Sequence, residues 1–108
     1  MTELCRLDAL DATGSLGLTA DLGDGPEEIF VVRHGDMVRA YRNSCPHTGG
    51  PLEWLDHQFL DDEGAFIVCA THGALFRIED GFCFAGPCKR QSLSGIPVRV
   101  EDNRVVLA

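Results

Sequence analysis

Two short cysteine–histidine motifs constrain this chain more than any other feature. The first is Cys45-Pro46-His47 and the second is Cys69-Ala70-Thr71-His72, with twenty-one residues between them. Each motif supplies one thiolate and one imidazole, and two such pairs together form a set of metal ligands. The candidate ligands are Cys45, His47, Cys69 and His72. A fold for this chain therefore has to bring two loops together around a metal centre.

The composition is that of an acidic globular chain. Of the 108 residues, 44% are hydrophobic and 24% are charged, and the formal net charge is −8. This length suits one domain, and we expect a single domain over residues 1–108. An acidic surface repels nucleic acid and anionic membranes, so we expect neither as a partner. The charge is compatible with docking onto a basic patch of another protein.

The N-terminal segment and the cysteine content indicate a cytoplasmic protein. No run approaches the roughly 18 consecutive apolar residues of a transmembrane helix. Residues 1–11 contain four charged side chains and no apolar stretch of signal-peptide length. In a reducing compartment, the five cysteines point to metal binding before disulfides.

Strand-length segments separated by turn residues predict an all-β fold. Residues 28–33 are rich in β-branched and aromatic side chains and 37–42 alternate, so they form a hairpin around the turn at 34–36. No helical periodicity persists for 11 residues. We expect an antiparallel β-sandwich or barrel of about eight to ten short strands. The other predicted strands are 4–7 and 16–18, 58–60 with 65–69, 75–78 with 82–84, and 96–101 with 104–107.

Both motifs fall in loops at the ends of predicted strands. The first follows the strand that ends near Asn43, where two prolines and two glycines in 45–51 exclude regular structure. The second lies between the predicted strands 65–69 and 75–78. Sites are commonly built from loops on a rigid sheet scaffold. We expect the metal-binding part to cover about residues 43–88.

The donor set alone fits two kinds of centre. Two cysteines and two histidines could hold one zinc ion in a tetrahedral site. They could also hold a two-iron cluster, with both thiolates on one iron and both imidazoles on the other. Small zinc modules usually begin with two cysteines and use the metal to make up for a very small core. Each motif of this chain instead mixes cysteine with histidine, which favours the cluster.

At these residues the chain resembles Rieske-type [2Fe–2S] proteins. The resemblance rests on residues 45–52, on residues 69–76 and on Gly86-Pro87. It implies a Rieske-type antiparallel β-sandwich or barrel with a two-loop cluster-binding subdomain and one [2Fe–2S] cluster. Family likeness further implies that the two cysteines bind the inner iron and that the two histidines bind the outer iron, near the surface.

The resemblance also separates subtypes. High-potential respiratory members carry an additional disulfide between the two loops, but Gly50 and Thr71 stand at those positions here. Those members also place a serine and a tyrosine after the second motif, where this chain has Ala74 and Phe76. Hydrogen bonds to cluster sulfurs raise the reduction potential of the cluster. Because these hydroxyl donors are missing, we expect a low potential of about −150 mV. This pattern is similar to the Rieske ferredoxins of multicomponent oxygenase systems.

The resemblance implies a one-electron carrier that is not itself an enzyme. It would pass electrons from a reductase to a terminal oxygenase or another oxidoreductase. Two alternatives stay open at this point. One is the small subunit of an NAD(P)H nitrite reductase, a class that can share this fold. The other is a zinc-stabilised Cys2His2 interaction domain.

The remaining conspicuous side chains are expected to be structural. Cys5 is expected to be a small apolar residue of the first strand, and Cys83 and Cys88 to be reduced, part-buried thiols, with a disulfide or redox role as the alternative. We expect His34 at the surface of a hairpin turn, and the acidic run 61–63 as a solvated hairpin tip with docking as the alternative. Four phenylalanines at strand positions are expected in the core: Phe66, Phe76, Phe82 and Phe84.

Overall fold

The computed structural model describes residues 3–11, 14–21, 23, 25–35, 37–44, 59–61, 64–69, 73–86 and 91–108. These residues form ten short strands and a 3-10 helix at Leu7–Leu10. Within these ranges, no helix has the length and apolar character needed to cross a bilayer. The strands are β1 Glu3–Arg6, β2 Ser15–Asp21, β3 Pro26–His34, β4 Met37–Arg42, β5 Phe66–Cys69, β6 Ala74–Arg77, β7 Cys83–Ala85, β8 Gly95–Ile96, β9 Val98–Glu101 and β10 Arg104–Leu107.

The central strand β3 divides the molecule into two apolar cores. It belongs to an antiparallel sheet in the order β2-β3-β4-β8, and four consecutive residues of β3 are fully buried. Because successive side chains of a strand point to opposite faces, Ile29 and Val31 enter one core while Phe30 and Val32 enter the other. A strand that is apolar on both faces is one whose two faces are both covered.

The first core lies beneath a second antiparallel sheet, in the order β1-β10-β9. Cys5, Leu10 and Val105 pack there against the side chains of β3. The β9–β10 hairpin turns at Asp102 and Asn103, which have φ angles of 50° and 62°. Two successive residues in the left-handed region are typical of the tight hairpin turn that matches strand twist. We call these two sheets together the base.

The second core lies beneath a third antiparallel sheet, in the order β5-β6-β7, which we call the cluster-binding sheet. Its inner face contributes Ile67, Phe76 and Cys83, all fully buried, and they pack in one cluster with Phe30 of the base. Residues 59–61 run beside β5, with Leu60 bridging to Ile67. The sheet is irregular between β6 and β7, where the register shifts between Leu75 and Phe76.

The predicted all-β architecture is confirmed, with three local differences. The predicted strand 96–101 is two strands: Ile96 pairs with Ala40 in one sheet, while β9 pairs with β10 in another. Pro97 separates them, because proline has no N–H to continue a ladder. Residues 7–10 form a 3-10 helix where the first strand was predicted to end. Gln58, the predicted start of another strand, lies outside the described residues.

The expected burial of the four phenylalanines is confirmed only for Phe76, which is fully buried. Phe82 and Phe84 are half-buried. The prediction is wrong for Phe66, whose side chain is 38% exposed. The physical reason is the two-residue period of a strand: Cys69 faces the core, and a residue three positions away points to the opposite face.

Candidate metal centre

One of the four candidate ligands lies in the described part of the chain. Cys69 is the last residue of β5, and it is 1% exposed on the inner face of the cluster-binding sheet. Its neighbours in the same apolar cluster include Phe59 and Phe76. Cys45, His47 and His72 lie outside the described residues.

The second motif begins and ends at two strand ends that lie side by side. Cys69 pairs with Ala74 in the antiparallel register, and the Gly73 N–H donates to the Cys69 carbonyl at 2.7 Å. Gly73 has a φ of 71°, a conformation that favours glycine. The chain therefore leaves β5 at the candidate ligand Cys69 and enters β6 at Ala74, directly opposite it. Backbone pairing fixes the two strand ends on either side of residues 70–72.

The segment that carries the first motif is also anchored at both ends. Before it, the Asn43 N–H donates to the Glu28 carbonyl at 2.9 Å. After it, the Phe59 N–H donates to the buried Ser15 hydroxyl at 3.1 Å, and the Phe59 ring stacks on Phe30 with centroids 4.3 Å apart. The base strands β2 and β3 thus provide the anchors on both sides of this segment.

A third segment approaches the second motif at Gly86, just after β7. A Cβ atom placed on Gly86 would lie 2.6 Å from Cα of Ala74, a distance that real Cβ atoms do not reach. Gly86 also has a φ of 98°. Glycine is therefore required twice here, by backbone conformation and by contact with the residue opposite Cys69. This contact is not visible from the Gly-Pro dipeptide alone.

A buried hydrogen bond ties the cluster-binding sheet to the base. The Tyr41 hydroxyl, from β4, donates to the Ile78 carbonyl just after β6 at 2.6 Å. The pKa of Tyr41 is raised to about 12, chiefly by burial; Arg39 opposes the rise, and the carboxylates of Asp80 and Glu79 add to it. Sequence reasoning missed this residue, because its partner lies 37 positions away.

The other described cysteines are structural thiols. Cys5 is buried in the base, as expected, and burial, followed by the charge of Glu3, raises its pKa to about 11. Cys83 is a buried thiol whose Sγ donates to the Ala85 carbonyl at 3.2 Å. Cys88 lies outside the described residues. His34 is exposed, as predicted, and its Nδ1 lies 3.2 Å from the Gly64 carbonyl oxygen.

The donor chemistry fits an iron–sulfur cluster as far as the described residues reach. Among them, no three His, Cys, Asp or Glu side chains come together as a metal site, and three of the candidate ligands fall in the gaps. Cys69 supplies a thiol that faces an apolar core, a surrounding that limits solvent access to a metal centre. Ala74 and Phe76, both fully buried, have no hydroxyl to offer a cluster sulfur.

Comparison with known proteins decides the family. The Rieske [2Fe-2S] domain family matches residues 3–102 of this chain. The chain belongs to this family. Its cofactor is one [2Fe–2S] cluster, and its fold is the Rieske fold.

Solved structures place this Rieske domain beside ferredoxins of oxygenase systems. It superposes on the ferredoxin of carbazole 1,9a-dioxygenase from Nocardioides aromaticivorans IC177 with a TM-score of 0.75 and 27% identity, covering 99% of this chain and 95% of that one. It has the same fold as a chain in a complex of reduced oxygenase and oxidized ferredoxin of carbazole 1,9a-dioxygenase, with a TM-score of 0.72, 22% identity, and 99% and 100% coverage.

A curated relative is considerably longer than this Rieske domain. The carnitine monooxygenase oxygenase subunit of Escherichia coli (strain K12) is 33% identical over 86 residues, which are 70% of this chain and 21% of that protein. The chain thus spans about a fifth of the length of the curated relative it matches. Together these comparisons favour a Rieske ferredoxin over the nitrite reductase subunit and the zinc module.

Proposed function

We propose that this Rieske domain is a one-electron carrier that receives electrons from a reductase and delivers them to a terminal oxygenase or another oxidoreductase. The observation that supports it most is the match to a Rieske ferredoxin over 99% of this chain and 95% of that one. A [2Fe–2S] cluster accepts and returns an electron without bond making at a substrate. The protein is then an electron-transfer component and has no catalytic residues of its own.

The proposed ligands are those of the two motifs, with Cys45 and Cys69 on the inner iron and His47 and His72 on the outer iron. The buried, inward-facing side chain of Cys69 supports its assignment to the inner iron. The anchors at Asn43 and Phe59 hold the ends of the segment that carries Cys45 and His47. The outer histidines would give electrons a short path to a partner.

A second arrangement of the same function has a specific observation in its favour. The Escherichia coli relative is an oxygenase subunit, and this chain matches about a fifth of it. In that arrangement, the Rieske domain would pass electrons to a catalytic domain of its own subunit. In both arrangements the domain carries one electron at a time, so the first experiment concerns the cluster.

The test is spectroscopy of the protein purified without oxygen. We expect a coloured protein with about two irons per chain and, after reduction by dithionite, the EPR spectrum of a mixed Cys/His cluster. His47→Ala and His72→Ala are each expected to lose the cluster, whereas His34→Ala, at an exposed histidine of the base, is expected to keep it. A colourless protein with stoichiometric zinc, or an all-cysteine EPR spectrum, would refute the proposal.

The proposed potential is low because the hydroxyl donors after the second motif are missing. Ala74→Ser and Phe76→Tyr together are expected to raise the midpoint potential toward the upper part of the Rieske range, since donors to sulfur stabilise the reduced cluster. Protein-film voltammetry would measure it. The control is Phe82→Tyr, which adds a hydroxyl to a half-buried ring beside Arg77 rather than to the fully buried one. An unchanged midpoint in the double variant would show that these hydroxyls do not control the potential.

The domain limits and the location complete the proposal. We treat residues 1–108 as one Rieske domain whose cluster-binding part is about 43–88, and we expect it in the cytoplasm. Fractionation of cells that express the tagged chain would test the location.

A further inference from the structure

The outer face of the cluster-binding sheet is apolar. Phe66, 38% exposed, and the half-buried Phe84 meet edge to face on that side, with ring centroids 5.0 Å apart. Phe84 stands at the irregularity between β6 and β7, and its ring reaches across the sheet to β5. Val68 and Leu75, paired in register, are half-buried beside them. The outer face is therefore a contiguous patch and not a single exposed ring.

The charges at the edge of this patch are predominantly negative. Arg77 is the only cation on strands β5–β7, and it is paired with Asp80 and with Glu79, the latter at 3.5 Å. A third carboxylate, Asp61, accepts the N–H of Phe66 at 3.3 Å. Arg39 of the base also reaches this rim, where its Nε donates to the Glu79 carbonyl at 3.2 Å. Three carboxylates against two guanidiniums leave the described part of the rim net negative, in a chain whose net charge is −8. A complementary partner surface is basic around an apolar centre.

The patch lies close to the candidate cluster ligand. Phe66 and Cys69 are the first and last residues of β5, which puts their Cα atoms roughly 10 Å apart. Because they point to opposite faces, a protein on the outer face would lie alongside the cluster loop without entering the core. An electron carrier needs contacts of this kind that bring a partner near the cluster and release it again.

We propose that this outer face, centred on Phe66 and Phe84 and rimmed by Glu79 and Asp80, docks a redox-partner protein that presents an apolar centre and a basic rim. The proposal rests on the proposed electron-carrier function. It assigns the aromatic pair the role of anchor, since buried aromatic side chains carry much of the energy of protein interfaces. The carboxylates set the encounter rate and its dependence on salt.

The test measures electron transfer from the dithionite-reduced, cluster-loaded protein to mitochondrial cytochrome c, a small basic haem protein, by anaerobic stopped flow. Phe66→Ser is expected to lower the second-order rate constant about fivefold, the effect of losing one aromatic anchor. Phe66→Leu, which keeps the site apolar, should lose less. The control is Val100→Ser, at the other exposed large apolar residue within the described ranges, 43% exposed on β9 of the base. Midpoint potentials of all variants establish that driving force is unchanged.

The electrostatic arm uses a matched pair of glutamates, each beside an arginine. Glu79→Gln on the rim is expected to lower the rate constant about twofold at low ionic strength and to leave it unchanged at high ionic strength. Glu101→Gln, whose partner is Arg99 on the base, should have a smaller effect at low ionic strength and none at high ionic strength.

The outcomes distinguish failure of the docking proposal from failure of the electron-carrier proposal. Equal rates for Phe66→Ser and Val100→Ser, or for the two glutamate variants at low ionic strength, would overturn the docking face while the electron carrier stands. A wild-type dimer that Phe66→Ser converts to a monomer in sedimentation would identify a second copy as the occupant and would likewise overturn it. A wild-type cluster that cannot be reduced and reoxidised would overturn both proposals.

Discussion

The base and the cluster-binding sheet consist of the same kind of antiparallel strand, yet different interactions hold them. In the base, the nine-residue strand β3 pairs along an unbroken register with β2 on one side and β4 on the other. The cluster-binding sheet has strands of three or four residues and a shifted register. Short, irregular ladders give little stability by themselves. We therefore expect this sheet to depend on its packing against the base, the close approach of Gly86 to Ala74, the Tyr41–Ile78 hydrogen bond and the cluster.

Two buried cysteines illustrate the same difference. Cys5 lies within β1 of the base, and its raised pKa keeps the thiol neutral. Cys69 lies at the end of β5, where the chain turns. Both cysteines are thus buried. The proposed ligand Cys69 differs from the packing residue Cys5 in lying at the end of its strand.

Replacement of these two cysteines is the strongest test of that comparison. Cys69→Ala is expected to remove the cluster, with loss of nearly all iron and visible absorbance, because the inner iron loses one of its two thiolates. Cys5→Ala is expected to keep the cluster and to cost about 1 kcal/mol of unfolding free energy. Iron analysis and urea unfolding would measure both. Equal iron loss in the two variants would remove the distinction between the cysteines.

The next largest difference in stability is expected between alanine substitutions at two glycines with similar φ angles, Gly86 and Gly25. Gly86→Ala is expected to destabilise the protein by about 3 kcal/mol and to shorten the lifetime of the cluster, because the new methyl group meets the Ala74 backbone. Gly25 has a φ of 107° and nothing within 4 Å of a Cβ, so Gly25→Ala should cost only about 1 kcal/mol of strain. Thermal unfolding and the decay of visible absorbance would be recorded. Similar losses would mean that strain alone, and not the contact, requires glycine at position 86.

Loss of the Tyr41–Ile78 hydrogen bond, which joins the cluster-binding sheet to the base, is expected to lower stability by an intermediate amount. Tyr41→Phe leaves the buried Ile78 carbonyl without its donor, which should cost about 2 kcal/mol. Thr19→Val removes an exposed hydroxyl contact to Glu28 and should change stability by less than about 0.5 kcal/mol. Urea unfolding of the two variants provides the comparison. If Tyr41→Phe were as mild as the control, the hydrogen bond would not hold the sheets together.

Alkaline pH is expected to give the most gradual loss of stability. The pKa of Cys5 rises from 9.0 to about 11 on folding, and that of Tyr41 rises from 10.0 to about 12. The folded state binds these protons more tightly, so their contribution is complete below the unfolded pKa and disappears as pH rises through the folded pKa. Stability should fall first over about pH 9 to 11 and then over about pH 10 to 12.

Variants separate the two alkaline steps. Cys5→Ala should remove the earlier decline and Tyr41→Phe the later one, in unfolding free energies measured against pH. Tyr41 is the only tyrosine of the chain, so the ultraviolet absorbance of its phenolate reports that titration directly. Titration of the folded protein at the ordinary pKa of 10.0 would contradict the burial argument.

Much of the fold and the proposed ligand set could be predicted from local patterns. Alternation over 37–42, the apolar run before it and the turn between them define a hairpin without reference to the rest of the chain. The proposed ligands follow from the types of side chain in the two motifs, and these types are known without knowing where the motifs lie in the fold. For these reasons the hairpins, the all-β class and the [2Fe–2S] cofactor were accessible before any coordinates.

The sequence by itself determined which chemistry this protein can hold and that its fold is built from antiparallel hairpins. Only the tertiary structure decided which core each strand faces, that Pro97 separates two sheets, and that Phe66 points outward. The contacts of Tyr41 with Ile78 and of Gly86 with Ala74 join residues 37 and 12 positions apart. The reason is physical: burial and contact depend on all elements packing at once, whereas turns, alternation and ligand type depend on neighbours in the chain.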